Sequence, residues 1–179
     1  MPQYMKLGSL PRKRHIAHRA EPGYKNEGIY YEEVVTRSGF SRAYSILYHR
    51  IPPTRVRKVE PAGEVPLTLV DETTLRHHHL KSGKLPATGD PVTGRVPFLA
   101  NADVALYRCR PKQPQAELFR NATADEIIFV HRGHGVLHSP FGLLPFKPYD
   151  YVVVPRCTTY LLEFAPDSNP DLLVIEAVG

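Results

Sequence analysis

The chain is 179 residues long, 42% apolar and 23% charged, which suits one globular core and sets aside disordered, collagen-like and coiled-coil architectures. Eighteen prolines argue against long helices, because each fixes φ and removes a backbone donor. The net charge of +5 raises the question of nucleic acid. No recognition helix or stacking-aromatic motif accompanies the basic runs, so they read as solvated loops or contacts with another subunit, and no nucleic-acid partner is expected.

No apolar stretch approaches the roughly 20 residues that span a bilayer, and Met1 to Arg14 lacks the apolar centre of a signal peptide. A cytoplasmic location without membrane contact is expected. Cys109 and Cys157 are too few for a disulfide scaffold and read as small reduced residues.

Residues 1–100 form a proline-rich arm in which Pro22-Gly23, Pro52-Pro53, Pro61, Pro66, Pro86, Pro91 and Pro97 interrupt nearly every segment. Gly28 to Val35 and Tyr44 to Tyr48 are predicted strands within it, rich in tyrosine and in β-branched or aliphatic residues. The basic runs Pro11-Arg-Lys-Arg-His15 and Arg55-Val-Arg-Lys58 also fall here. So does His77-His78-His79, whose consecutive imidazoles alternate in direction and do not converge on one ion. Such an arm builds little core of its own and is expected to wrap a barrel or lie against a neighbour.

Residues 101–179 carry the barrel. Predicted strands are Val104–Tyr107, Glu126–Val130, Val136–His138, Tyr151–Val154, Tyr160–Phe164 and Leu172–Ala177, with turn signals about every ten residues. Gly133-His-Gly135 reads as a hairpin turn between two of them. His131, His134 and His138 cluster around it without a ligand spacing and read as surface or hydrogen-bonded histidines. Nucleophile-elbow, phosphate-loop and dinucleotide-turn motifs are absent from the sequence.

The spacing of Glu126 and Gly133 fits the first motif of the cupin superfamily, with Arg120 and Ala122 standing in its two histidine places. Asp150, Pro155 and Tyr160 fit the second motif, with Tyr149 in its glycine place and Tyr160 in its histidine place. The predicted fold is therefore all-β: a cupin-type double-stranded β-helix, or jelly roll, with an extended proline-rich amino-terminal arm. One glutamate does not make a metal site, so the barrel is expected to be metal-free. Alternation turns Glu126, Ile128 and Val130 to the barrel interior. A buried carboxylate needs partners, and the frame places Arg120 and Tyr160 nearest, as a structural polar cluster or as a ligand-binding set. No catalytic residue is assigned.

Several ordered motifs resemble bacterial-type homogentisate 1,2-dioxygenases over nearly the whole chain. They are Pro11-Arg-Lys-Arg-His15, Tyr48-His-Arg50 with Pro52-Pro-Thr54, Gly89-Asp-Pro-Val-Thr-Gly-Arg95, Asn101-Ala-Asp-Val104, Arg120-Asn-Ala122 with Asp125-Glu126, and Asp150-Tyr-Val-Val-Val-Pro-Arg156 with Thr158-Thr-Tyr160. The resemblance implies two cupin halves in one enzyme that uses Fe²⁺ and O₂ to open the ring of homogentisate in tyrosine and phenylalanine breakdown. The iron-binding histidines and glutamate of that family lie in the carboxy-terminal half, so none is carried to a residue here. The chain is then expected to be an amino-terminal, non-metal-binding part, inactive by itself, that pairs with the carboxy-terminal half or other subunits in a homo-oligomer. Two alternatives remain: a stand-alone metal-free cupin that binds a small acidic molecule near Arg120 and Tyr160, and a metal-free isomerase.

Overall fold

A computed structural model describes residues 30–36, 39–42, 44–61, 67, 69–70, 74 and 76–178; the basic run Pro11–His15 lies outside them. The chain divides into two compact units, residues 1–64 and 65–179. In the first, strands β1 (Tyr31–Thr36) and β2 (Tyr44–His49) pair antiparallel, with Tyr31 opposite His49 and Thr36 opposite Tyr44. His49 Nε2 lies 2.7 Å from Glu33 Oε2 across this hairpin. Both strands fall where residue type places them.

Among the described residues of the second unit the regular elements are strands, apart from one 3₁₀ turn, Ser82–Lys84. Its strands are β3 (Arg95–Ala100), β4 (Val104–Cys109), β5 (Phe119–Arg120), β6 (Asp125–Arg132), β7 (Gly135–Ser139), β8 (Gly142–Phe146), β9 (Tyr151–Val154), β10 (Thr159–Phe164) and β11 (Asp171–Ala177). They form a five-stranded sheet ordered β3-β4-β11-β6-β9 and a four-stranded sheet ordered β5-β10-β7-β8. Every pairing is antiparallel. This is the two-sheet, all-β jelly roll expected of a cupin-type chain. Among the described residues no helix is long and apolar enough to cross a membrane.

Alternation explains the core. Ala105, Tyr107 and Cys109 on β4, Ile128 and Val130 on β6, Val152 and Val154 on β9, and Leu172 and Val174 on β11 turn inward from one sheet. Leu137, Phe146, Tyr160 and Leu162 meet them from the other, and Phe146 packs edge-on against Phe164 at 5.3 Å.

Three strands escape the sequence pattern. In β3 and β8 the reason is a proline: Pro97 and Pro145 remove a ladder donor, which edge strands tolerate. Both strands are sheet edges, and the register of β3 shifts between Pro97 and Leu99. β5 is only two residues long. Because β3 begins at Arg95, the five-stranded sheet recruits residues that the proline content assigns to the arm.

Gly133–Gly135 is not the hairpin expected from its glycines. β6 pairs with β9 and β11, whereas β7 pairs with β8 and β10, so this turn carries the chain from one sheet to the other. Gly133 takes φ 97°. A Cβ on Gly135 would lie 2.0 Å from the Glu163 carbonyl oxygen. Gly135→Ala is therefore expected to destabilise the barrel by about 3 kcal/mol, the upper range for overpacking, read as a lower urea midpoint at unchanged slope.

Candidate functional site

The turn before β3 builds the site. Asp90 Oδ1 accepts the backbone N–H groups of Val92 (2.8 Å) and Thr93 (2.7 Å), and Gly94 N–H donates to the Asp90 carbonyl (2.8 Å). At Gly94 a Cβ would lie 2.0 Å from the Thr88 carbonyl oxygen, so the loop closes only with glycine there. This tight loop is the Gly89-Asp-Pro-Val-Thr-Gly-Arg95 motif, and it delivers Arg95 to the barrel interior.

Arg95 uses its whole guanidinium. Nε donates to the Pro91 carbonyl (3.1 Å), Nη1 to Glu126 Oε1 (2.5 Å) and Glu176 Oε1 (2.9 Å), and Nη2 to Tyr160 Oη (2.8 Å). Its Cζ also lies 5.3 Å from the Phe119 ring centroid, within cation–π range. Tyr160 Oη donates to Glu126 Oε2 at 2.5 Å. Asn121 Nδ2 reaches Glu126 Oε1 (3.3 Å), and Tyr107 Oη donates to Glu176 Oε2 (3.2 Å). Glu126 and Tyr160 are both 0% exposed. Gln115, itself buried, holds Tyr160 in place by donating to its carbonyl and accepting the Leu162 N–H.

Burial opposes the charge on Arg95, yet Tyr160, Glu126 and Glu176 together raise its pKa. Burial raises the Tyr160 phenol, and Glu126 adds to the rise against the pull of Arg95. Tyr107 is pushed up to about 12, first by burial and then by Glu176. Burial also lifts the Glu176 carboxyl, more than Arg95 lowers it.

The frame residues behave unequally. Glu126 and Tyr160 come together as their places imply. Arg120 does not join them: it pairs with Thr159 across β5 and β10, so it shares the face of Thr159, opposite to that of Tyr160. Its Nε donates to Thr159 Oγ1 (2.7 Å) and the side chain is exposed. The guanidinium on Glu126 is that of Arg95, 31 positions upstream. Its sequence signal was slight, an arginine opening an apolar run after a glycine turn. Tyr149, in the glycine place of the second motif, keeps a glycine-like φ of 73°. Ala122, in a histidine place, is exposed.

Iron of the kind the resemblance implies needs histidine and carboxylate donors that converge with open positions. Here Glu126 already holds a guanidinium, a phenol and an amide, and Glu176 shares the same guanidinium. Among the described residues no group of three His, Cys, Asp or Glu side chains is placed to hold a metal. These donors do not fit Fe²⁺. His77, His78 and His79 are exposed. His138 Nε2 lies 2.7 Å from Glu163 Oε2, and His134 Nε2 lies 3.8 Å from Asp167 Oδ1.

Two further features lie apart from Glu126. A recess of about 440 Å³ runs beside β3, lined by Leu67, Leu69, Val70, His78, Leu80 and Pro97 to Ala100. Asp171, 2% exposed, receives Arg108 (2.6 Å) and Arg132 (3.1 Å) on one oxygen.

No protein-family model matches the chain. It is 36% identical over 177 residues to a protein of Saccharolobus solfataricus named as a "putative dioxygenase". The match covers 97% of this chain but only 44% of that relative's length. Among solved structures it is similar to a cupin protein from Bacteroides fragilis, at 15% identity and TM-score 0.43, covering 56% of this chain and 87% of the other. A cupin-2 domain protein from Shewanella frigidimarina is similar at 13% identity and TM-score 0.41, over 46% and 78% of the two chains.

Two outcomes follow from the network. Arg95→Met leaves Glu126 buried beside Glu176 without a cation and is expected to destabilise by about 3–5 kcal/mol, whereas Arg120→Ala should stay within about 0.5 kcal/mol; chemical unfolding of both variants distinguishes them. The raised phenols make folding stability pH-dependent at the alkaline end. Their contribution is complete below the ordinary tyrosine value near 10 and is lost as pH climbs through the folded value, about 12 for Tyr107. Thermal melts should therefore fall more steeply above pH 10 in the wild type than in Tyr107→Phe, compared each with its own value at neutral pH.

Proposed function

We propose that the chain is the non-catalytic barrel of a homogentisate 1,2-dioxygenase-like enzyme, an Fe²⁺- and O₂-dependent ring-cleaving oxygenase, and is inactive by itself. The observation that carries this reading is the guanidinium of Arg95 seated between Glu126 and Glu176, where the two cupin motifs converge on the barrel interior. A cation fixed by the chain itself gives that interior a structural task and leaves redox chemistry to another barrel. The match to a protein named as a dioxygenase supports the reading in a second way, because the relative extends well beyond the 44% of its length that the chain covers. In this role the barrel is a folded wall that positions the iron-bearing half, and a cytoplasmic enzyme of amino-acid breakdown is its setting.

The competing reading, a stand-alone barrel that binds a small acid between Arg120 and Tyr160, has less support. Those side chains leave opposite faces of their strands, and the Tyr160 hydroxyl is already engaged by Glu126 and Arg95.

Oxygen uptake tests the proposal. The purified chain with Fe²⁺ and homogentisate is expected to consume no oxygen above the metal-only blank, whereas the longer Saccharolobus relative is expected to consume oxygen and open the ring. Ring cleavage by the chain alone, or indifference of the relative to homogentisate, would reject the assignment.

A further inference from the structure

The network inside the barrel holds more acid than its cation balances. Arg95 carries one positive charge, whereas Glu126 and Glu176 carry one negative charge each when both are ionised. A single nitrogen, Arg95 Nη1, serves both carboxyl groups, at 2.5 Å from Glu126 Oε1 and 2.9 Å from Glu176 Oε1. Burying a charge without a counter-charge is costly, and of two carboxyl groups that share a site one resists ionisation. A proton on either of them brings the cluster to neutrality.

Hydrogen bonds decide which carboxyl group takes it. Glu126 is 0% exposed, and its partners act as donors: Arg95 Nη1 and Asn121 Nδ2 to Oε1, and Tyr160 Oη to Oε2. Guanidinium and amide nitrogens accept no hydrogen bond. Tyr160 Oη already accepts from Arg95 Nη2 (2.8 Å), so a proton on Glu126 Oε2 would crowd the phenol proton that points at the same oxygen. Glu176 differs in both respects. Its side chain is 21% exposed, so solvent reaches it, and its Oε2 faces Tyr107 Oη at 3.2 Å. A phenol donates to a carboxylate and accepts from a carboxylic acid, so this contact persists in either state. Burial acts most strongly on the Glu176 carboxyl and raises it; Arg95 pulls it down, and the charge of Glu126 raises it again.

We infer that the Arg95 network keeps one exchangeable proton, and that Glu176 is the group that takes it from solvent and returns it, making the stability of the barrel depend on pH. The groups that face Glu176 are Arg95 from β3, Tyr107 from β4 and Glu126 from β6, with Tyr160 from β10 reached through Arg95 and Cys109 further along the inner side of β4. Asp125 pairs with Ala177 on the other side of the sheet and turns to Arg156 (3.7 Å). Asp103 is exposed and accepts the Val178 N–H on its backbone carbonyl. A carboxyl held above its ordinary value supports folding fully below that value, and this support is lost as pH rises through the folded value. A carboxylate that served only as an ionised partner of Arg95 has the opposite dependence, stabilising at neutral pH and losing that effect in acid. The inference does not depend on the dioxygenase reading.

Glu176→Gln in the full chain tests it, because the amide keeps the shape of the side chain and does not ionise. The melting temperature of the variant, less that of the wild type, is expected to rise between about pH 4, close to the ordinary glutamate value, and about pH 8. A difference that falls over this range marks Glu176 as an ionised partner of Arg95, and a flat difference marks it as indifferent to pH; either overturns the inference. The wild type supplies a second readout that stands even if the variant does not fold. The carbon-13 shift of the Glu176 side-chain carboxyl is expected to titrate with its midpoint above the ordinary value of about 4.3, and a midpoint at or below that value overturns the inference.

Discussion

A single guanidinium buried among two carboxylates and a phenol organises the barrel. Arg95 comes from the edge strand β3, Glu126 and Glu176 from the middle strands β6 and β11, and Tyr160 from the opposite sheet. The four side chains therefore tie both sheets together at one point of the interior. An ion pair at such depth is not a simple gain, since desolvation of its members offsets much of their attraction. What makes it tolerable is satisfaction: three nitrogens of Arg95 donate to four acceptors, and both oxygens of Glu126 are engaged. Remove the cation and two carboxylates face each other in a medium that screens them poorly.

The same arrangement limits the chemistry of this barrel. A metal ion and a guanidinium ask for the same carboxylate lone pairs, and here the guanidinium, delivered by the tight Asp90–Gly94 turn, holds them. Elsewhere polar pairs are peripheral, as with His138–Glu163 and Lys147–Asp150, or serve a strand end, as with Arg108 and Arg132 on Asp171. The network around Arg95 thus serves cohesion of the barrel interior.

Local pattern made much of this legible. Short apolar runs separated by turn residues located six of the strands in the second unit, because strands that line a core are apolar and the chain must turn between them. Period-two alternation placed Glu126 among Ile128 and Val130 on the inner side, and motif spacing brought Tyr160 to Glu126 across the two sheets. The sequence concealed β3 and β8 because Pro97 and Pro145 break the donor ladder, a defect that matters only for a strand with two neighbours. It concealed the partner of Glu126 too, since Arg120 stands closer along the chain and carries the same charge.

Alternation, turn residues and motif spacing, all properties of short stretches, thus sufficed for the fold class, the inward carboxylate and its tyrosine. Which arginine neutralises that carboxylate was a tertiary matter. Pairing of Arg120 with Thr159 turns it outward, while the place of β3 beside β4 turns Arg95 inward. The passage from β6 to β7 between sheets was decided at the same level. Strand order and register arise from contacts among segments far apart in the chain, and no local period encodes them.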